Sequence, residues 1–235
     1  MTHRKGFFIT GTGTDVGKTS VTCLLASTLS TTSPVTYMKP IQTGCTYNEN
    51  HELYAPDFDL LRYSGITLTH DTKLHVPYCF EPACSPHLAA NLAGVVVSLP
   101  HINDCFNTIA EQLGENTVFL VEGAGGAYVP LNATDTMFDL MHLFALPVIV
   151  VVSAGLGTLN HTFLTLEALR NRNIPVTAVV MNNAGNCMED FMYEDNRAML
   201  RNAAQPSLFL ELPYFGNAPM PNIKEFCDEL MQQQL

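Results

Sequence analysis

Phe7-Phe8-Ile9-Thr10-Gly11-Thr12-Gly13-Thr14-Asp15-Val16-Gly17-Lys18-Thr19 is the stretch that decides the fold. Its first four residues form a short apolar run, rich in aromatic and β-branched side chains, which reads as a buried strand. A glycine-rich segment follows, and then a helical run from Thr19 to Leu29. Strand, loop and helix in that order let backbone N–H groups converge on a phosphate chain, and the glycines let the backbone come close. Lys18 adds a point charge suited to the β- and γ-phosphates, and the Thr19 hydroxyl suits Mg²⁺. The stretch therefore reads as a loop that binds the phosphates of a nucleoside triphosphate, with ATP the expected one. Its spacing departs from the commonest pattern, because Thr12 stands at the usual first glycine and Gly11 falls one residue earlier.

Further apolar runs repeat the theme outward from this point. They are Val35 to Met38, Val118 to Val121, Pro147 to Val152, Val176 to Met181 and a weaker Leu208 to Leu210. Each is continuous rather than alternating, as expected of strands buried on both faces of a parallel sheet. Helical stretches lie between most of them: His101–Leu113, Asn160–Asn171 and Tyr193–Ala203, with a last helix expected over Asn222–Leu235. Alternating strands and helices predict a three-layer α/β/α fold with a mainly parallel sheet, of the P-loop NTPase-like kind. One domain over residues 1–235 is expected, with the proline-rich Tyr47–Pro100 segment as excursions from it.

In such sheets the ligand sits beyond the carboxyl ends of the strands. The third strand is expected to end in Glu122, followed by Gly123-Ala124-Gly125-Gly126, which places a carboxylate near the phosphate loop for a phosphate-bridging Mg²⁺. The second ends in Lys39-Pro40-Ile41-Gln42-Thr43-Gly44. Lys39 would either help Lys18 neutralise a triphosphate or stand as a solvated strand-end lysine. Asp57 and Asp59 could bind Mg²⁺ or act as acids at a helix N-terminus, and spacing alone favours the helix role. His87 and Cys84 read as structural residues.

Composition narrows the classes. Hydrophobic residues make up 47% of the chain and charged ones 14%, so a sizeable core is available. The net charge of −11, from 11 basic against 22 acidic residues, disfavours a nucleic-acid partner. No apolar run reaches the ~20 residues that span a bilayer, so no membrane association and a soluble, cytoplasmic protein are expected. Seven scattered cysteines, an odd number without a CxxC pair, are expected to be reduced thiols.

Five segments together resemble the dethiobiotin synthetase family. They are Gly11 to Thr19; Lys39-Pro40 with Thr43-Gly44; Glu81-Pro82 with Ser85-Pro86-His87; Val121 to Gly126; and Gly157 with Asn160-His161. They stand in the family's order across about two-thirds of the chain, and five residues between the loop glycines is a family feature. The resemblance implies an ATP-dependent ligase that closes a ureido ring from 7,8-diaminononanoate and CO₂, through a carbamate and a carbamic-phosphoric anhydride. It implies catalytic roles for Lys18, Lys39 and Thr14, and metal binding by Thr19, Asp57 and Glu122. It implies nucleotide contacts from Gly11, Gly13, Thr14, Asp15, Val16, Gly17, Lys18, Thr19, Ser20, Glu122 and Gly125, with Asn182, Leu212 and Pro213 around the base. Substrate contacts would come from Thr43, Ser85 and Gly125. Gly157, Thr158, Leu159 and Asn160 would reach across a homodimer to the partner's substrate. Gly155 and Asn183 depart from relatives that carry Lys and Asp there.

Two other classes compete. Nucleotide-switch ATPases of the chromosome-partitioning type usually carry an extra lysine early in the loop, and Thr12 to Val16 contains none. Amide-forming synthetases such as cobyrinate amidases usually need a glutaminase domain, for which 235 residues leave no room.

Overall fold

The computed structural model describes residues 4–216 and 218–233. The chain runs β1 (Gly6–Gly11), α1 (Lys18–Leu29), β2 (Val35–Met38), β3 (Ile41–Thr43), β4 (Thr46–Tyr47), β5 (Leu53–Tyr54), α2 (Pro56–Leu61) and a 3₁₀ turn (Thr72–His75). It continues through β6 (Tyr78–Phe80), α3 (Pro86–Leu92), α4 (Leu99–Leu113), β7 (Val118–Gly126), α5 (Met137–Phe144) and β8 (Val148–Ser153). The last elements are α6 (Thr158–Asn171), β9 (Val176–Asn182), α7 (Phe191–Ala204), β10 (Leu208–Leu212) and α8 (Lys224–Gln232).

Six strands form one sheet in the order β10-β9-β8-β1-β7-β2, and every pairing in it is parallel. The apolar runs are continuous because both faces are covered. Phe7 and Ile9 of β1 join one core cluster with Ile149, Val151 and Val180, and helices α1, α2 and α8 complete it. Phe8 joins the other with Phe119, Val121, Val150 and Val179, closed by α3 to α7. Each such large side chain contributes about 1.5–3 kcal/mol by leaving water. The α/β/α layering and parallel sheet expected from the sequence are those observed.

Several expectations need correction. Glu122 does not end its strand: β7 continues to Gly126, where Gly126 pairs with Gly11. Helix α4 begins at Leu99, before His101, because Ser98 accepts a cap bond from the His101 N–H and Pro100 fits the first turn. Helix α5 lies in a stretch for which no helix was expected, opened by a capping box between Thr136 and Asp139. The Tyr47–Pro100 excursion contributes β5, α2, the 3₁₀ turn, β6 and α3. The cysteines are not all reduced, since Cys45 and Cys79 are joined in a disulfide. Parallel pairing of β3 with β6 sets Gln42 opposite Cys79 and brings the two cysteine Cα atoms to 6.2 Å across 34 residues of sequence. Met1 to His3, and Gln234 and Leu235 of the expected C-terminal helix, lie outside the described residues.

Strand order positions the site. β1 lies between β8 and β7, so the loop leaving β1 emerges at the middle of the sheet. The ends of β7 and β2 lie to one side of it, and those of β8, β9 and β10 to the other.

Candidate active site

The loop from Gly11 to Gly17 is held by its neighbours. Its first N–H, on Thr12, donates to the Val151 carbonyl at 3.1 Å, fixing the loop to β8. A Cβ on Gly11 would fall 2.6 Å from Val16 Cγ2 and 3.2 Å from the Val151 carbonyl oxygen, so a larger residue there would displace Val16. Gly17 caps α1 in the left-handed region at φ 88°, and a Cβ on it would meet Asn182 Nδ2 at 2.0 Å. That same Nδ2 donates to the Val16 carbonyl at 3.0 Å, tying the loop to the end of β9. Helix α1 has no side-chain cap and no acidic residue in its first turn. Its free N–H groups and positive dipole end are thus left for an anion.

Charge gathers beside this helix end. Lys18 is buried and donates to the Gly13 carbonyl at 2.7 Å. Burial pulls its pKa below the ordinary lysine value, the charge of Lys39 adds to that, and Glu122, Asp15 and Asp57 oppose it. Lys39, just past β2, donates to Asp57 and to Glu122 Oε1, the latter at 2.9 Å. Burial would lower its pKa too, but the carboxylates of Glu122 and Asp57 outweigh burial and raise it. Lys39 is therefore buried and paired, which rules out the solvated strand-end reading.

Glu122 is wholly buried on β7. Its Oε1 also accepts from Thr19 Oγ1 at 2.8 Å, and its Oε2 accepts from the Tyr37 hydroxyl at 3.1 Å. The Tyr37 phenol is driven well above its ordinary pKa by burial first, then by Glu122 and Asp57, so it remains a donor. Asp57 sits in the first turn of α2, so the helix-acid placement holds and the side chain also reaches Lys39.

Thr14, Asp15, Gly17, Lys18, Thr19, Ser20, Lys39, Gln42, Thr43, Asp57, Glu122 and Gly125 together line a cleft of about 470 Å³. Two carboxylates and a hydroxyl are hard oxygen donors of the kind Mg²⁺ takes, and the ammonium of Lys39 already bridges Asp57 and Glu122. The residues fit such an ion. Among the described residues no group of three or more His, Cys, Asp or Glu is arranged for a metal. An ion here would therefore take further oxygens from phosphate or water, the usual habit of Mg²⁺.

A smaller hollow of about 180 Å³ adjoins through Ser20 and Ala184, lined by Asn182, Pro213, Tyr214 and Phe215. Leu212, next to Pro213 in the chain, is buried, and its carbonyl accepts from the Asn183 N–H at 2.9 Å. Asn183 is buried and committed elsewhere: its side chain closes the 183–187 turn through both the N–H and the carbonyl of Cys187. Gly155 faces that turn, 3.3 Å from the Cys187 sulfur at its Cβ position.

The remaining predicted residues lie apart from the cleft. Ser85 caps α3 without a side-chain bond and lines none of the hollows described here. Thr158 is buried and donates to the Ser153 carbonyl at 2.6 Å, Leu159 packs against the core, and Asn160 is exposed. Gly157 caps α6 at φ 90°. In a single chain none of these four residues lines the phosphate cleft. A separate surface lies on the α6 side of the loop. There, Thr12, Gly13, Thr14, Tyr128 and Leu164 line a cavity of about 740 Å³. Sequence reasoning missed Tyr37, Gln42 and the aromatic pair Tyr214-Phe215; only the placement of Gln42 between Lys39 and Thr43 gave any signal.

Comparison with known proteins identifies the family. A family model described as an AAA domain matches residues 5–219. The "ATP-dependent dethiobiotin synthetase" of Aeromonas salmonicida is 37% identical over 214 residues, covering 91% of this chain and 92% of the relative. That of Fusobacterium nucleatum is 39% identical, covering 79% and 83%, and that of an Anaeromyxobacter species is 41% identical, covering 77% of each. Among solved structures, a Cyanothece McdA–ATP complex matches with TM-score 0.54 at 12% identity, covering 99% of this chain and 96% of that one. A Chlorobium tepidum ParA-family ATPase matches with TM-score 0.51 at 11% identity, covering 98% and 90%. These last likenesses concern the fold alone. Identity at this level over this breadth, joined to a P-loop with two buried lysines and a buried glutamate, places the chain in the ATP-dependent dethiobiotin synthetase family, as an ATP-dependent ligase.

Proposed function

We propose that the chain closes the ureido ring of dethiobiotin from 7,8-diaminononanoate, CO₂ and ATP, releasing ADP and phosphate. One amine takes up CO₂ as a carbamate. A carbamate oxygen attacks the γ-phosphorus, displacing ADP and giving a carbamic-phosphoric anhydride. The second amine then attacks the carbonyl carbon and phosphate leaves. The observation that carries this reading is the convergence of Lys18, Lys39, Thr19, Asp57 and Glu122 at the first turn of α1. Phosphoryl transfer asks for positioning and charge neutralisation more than for a protein nucleophile, and this cluster supplies both.

The loop N–H groups and α1 would hold the β-phosphate, with Lys18 turning from the Gly13 carbonyl to the phosphate oxygens. Lys39 lies between two carboxylates and keeps its proton, so it acts as a fixed positive charge beside the transferring group. Mg²⁺, held by Thr19, Asp57 and Glu122, would neutralise phosphate charge when bound. Thr14 and Thr43 line the same cleft and would orient the carbamate, with Gly125 giving its backbone room. Asn182 and Pro213, which line the smaller hollow, would receive the adenine together with the buried Leu212. A homodimer would bring Gly157 to Asn160 of the second copy to the substrate's carboxylate tail, where the N-terminus of α6 carries no acidic residue and no side-chain cap.

The test is direct. The protein, diaminononanoate, bicarbonate, Mg²⁺ and ATP should give dethiobiotin by mass spectrometry. ATP hydrolysis that ignores the diamine, with no such product, would sink the reading and favour a nucleotide switch.

A further inference from the structure

We propose that Tyr37 is a positioning residue for the carboxylate of Glu122, and through it for the metal–nucleotide site. The inference rests on the metal-holding role of Glu122 argued above. Glu122 is 0% exposed, and its two oxygens have different neighbours. Oε1 is shared by Thr19 and Lys39, both of which line the phosphate cleft. Oε2 points away from them and has the Tyr37 hydroxyl, at 3.1 Å, as its donor. Tyr37 is itself 0% exposed, on β2 next to the strand that carries Glu122. A buried carboxylate oxygen without a donor is costly, so the hydroxyl fixes which oxygen faces the core and which faces the cleft.

The rest of Tyr37 reaches the other half of the site. Its ring stacks on Phe58, with centroids 6.3 Å apart and an interplanar angle of 23°. Phe58 follows Asp57 directly on α2. The Tyr37 carbonyl accepts from His75 Nδ1 at 2.6 Å, and the His75 carbonyl accepts from the Lys39 N–H at 2.8 Å. One side chain thus spaces the strand bearing Glu122 from the helix bearing Asp57, while its backbone shares a partner with Lys39. Neither Phe nor Leu at position 37 would do both.

Calorimetric titration of the full-length protein with ADP, over a series of Mg²⁺ concentrations and in EDTA, reads this without any turnover. Tyr37→Phe keeps the ring and removes the hydroxyl. Its ADP affinity in EDTA should match that of the unaltered protein, while the Mg²⁺ concentration needed for half of the metal-dependent gain should rise by about tenfold. Phe58→Leu, which leaves the hydroxyl in place, should shift the same midpoint in the same direction by less. An unmoved midpoint in Tyr37→Phe overturns the proposal, as does ADP binding by the unaltered protein that is indifferent to Mg²⁺. A shifted midpoint in a protein that makes no dethiobiotin would keep the proposal and discard the ring-closing reaction.

Discussion

Lys18 and Lys39 carry the same charge into the same cleft, and the surroundings move them in opposite directions. Lys18 loses water and has a single carbonyl as its partner, so its ammonium gains most when a phosphate arrives. Lys39 is already neutralised by two carboxylates. Lys18→Ala should therefore lower ATP turnover by about 10²–10³-fold, the usual cost of losing a preorganised transition-state donor. Phosphate release should report the loss, with an unchanged circular dichroism spectrum. Gly17→Ala tests the loop from the other side. A left-handed alanine costs about 1–2 kcal/mol, before its Cβ meets Asn182 Nδ2 at 2.0 Å. At ~2–4 °C per kcal/mol for a chain of this size, the melting temperature should fall measurably, together with nucleotide affinity. These residues were legible because the motif is local: glycines, lysine and threonine lie within nine positions. Tyr37 was not, because its meaning lies in Glu122, 85 residues away, and a tyrosine in a strand reads as core. The glutamate was legible as chemistry but not as geometry, since the glycines after it suggested that the strand ended there, where in fact it continues to Gly126.

At the scale of elements, five of the six sheet strands were legible because each is buried on both faces over most of its length and so reads as a continuous apolar run. The sixth, β10, is half-buried and carries Glu211, which is why its run was the weakest. The short pieces between β2 and β7 were not, because they are fixed by side chains rather than by periodicity. The 3₁₀ turn Thr72–His75 is the clearest case. Its His75 is wholly buried, donates from Nδ1 to the Tyr37 carbonyl, and accepts at Nε2 from the Thr69 N–H at 3.2 Å. That arrangement uses the neutral ring, and a second proton would confront the Thr69 N–H. Burial, the largest effect, accordingly holds the His75 pKa below the ordinary 6.5. Between the folded pKa and 6.5 the unfolded chain binds the extra proton and the folded chain does not, so stability rises with pH across that window. Acidification from pH 7 through 6.5 should lower the melting temperature, and the His75 ring should titrate below 6.5 by NMR. A ring that titrates at or above 6.5 would show that the turn holds its strand by other means. Helix α5 was missed for a different reason. Only eight residues long and nearly all apolar, it gives no period to read, and its single signal is the Thr136–Asp139 capping box.

At the scale of the whole molecule, the same end of the sheet opens onto two surfaces. The loop residues Thr12, Gly13 and Thr14 border the larger cavity with Leu164 of α6, while Lys18 and Thr19 border the phosphate cleft. Two apolar side chains lining the larger cavity are left in water, Tyr128 at 61% exposed and Leu164 at 58%, and Leu156 on the loop before α6 is 90% exposed. Arg172 does not offset this, since its guanidinium is stacked on Tyr128 and Phe138 and bonded to the Tyr128 hydroxyl at 3.0 Å. A second copy placed against α6 would cover these residues and bring its own Gly157–Asn160 turn toward Thr14. The fold was legible from the residues alone; the substrate role of Gly157 to Asn160 came only through the family resemblance, because within one chain none of them lines the phosphate cleft. Leu164→Glu separates the two halves. It places a charge on the proposed contact, 58% exposed in the single chain and so tolerable to the fold, and it leaves the phosphate cleft intact. Light scattering should show the unaltered protein as a dimer and Leu164→Glu as a monomer. The variant should retain ADP binding and lose dethiobiotin formation. A monomeric unaltered protein with full ring-closing activity would mean that the cleft of one chain suffices, and that Gly157 to Asn160 serve only to begin a helix.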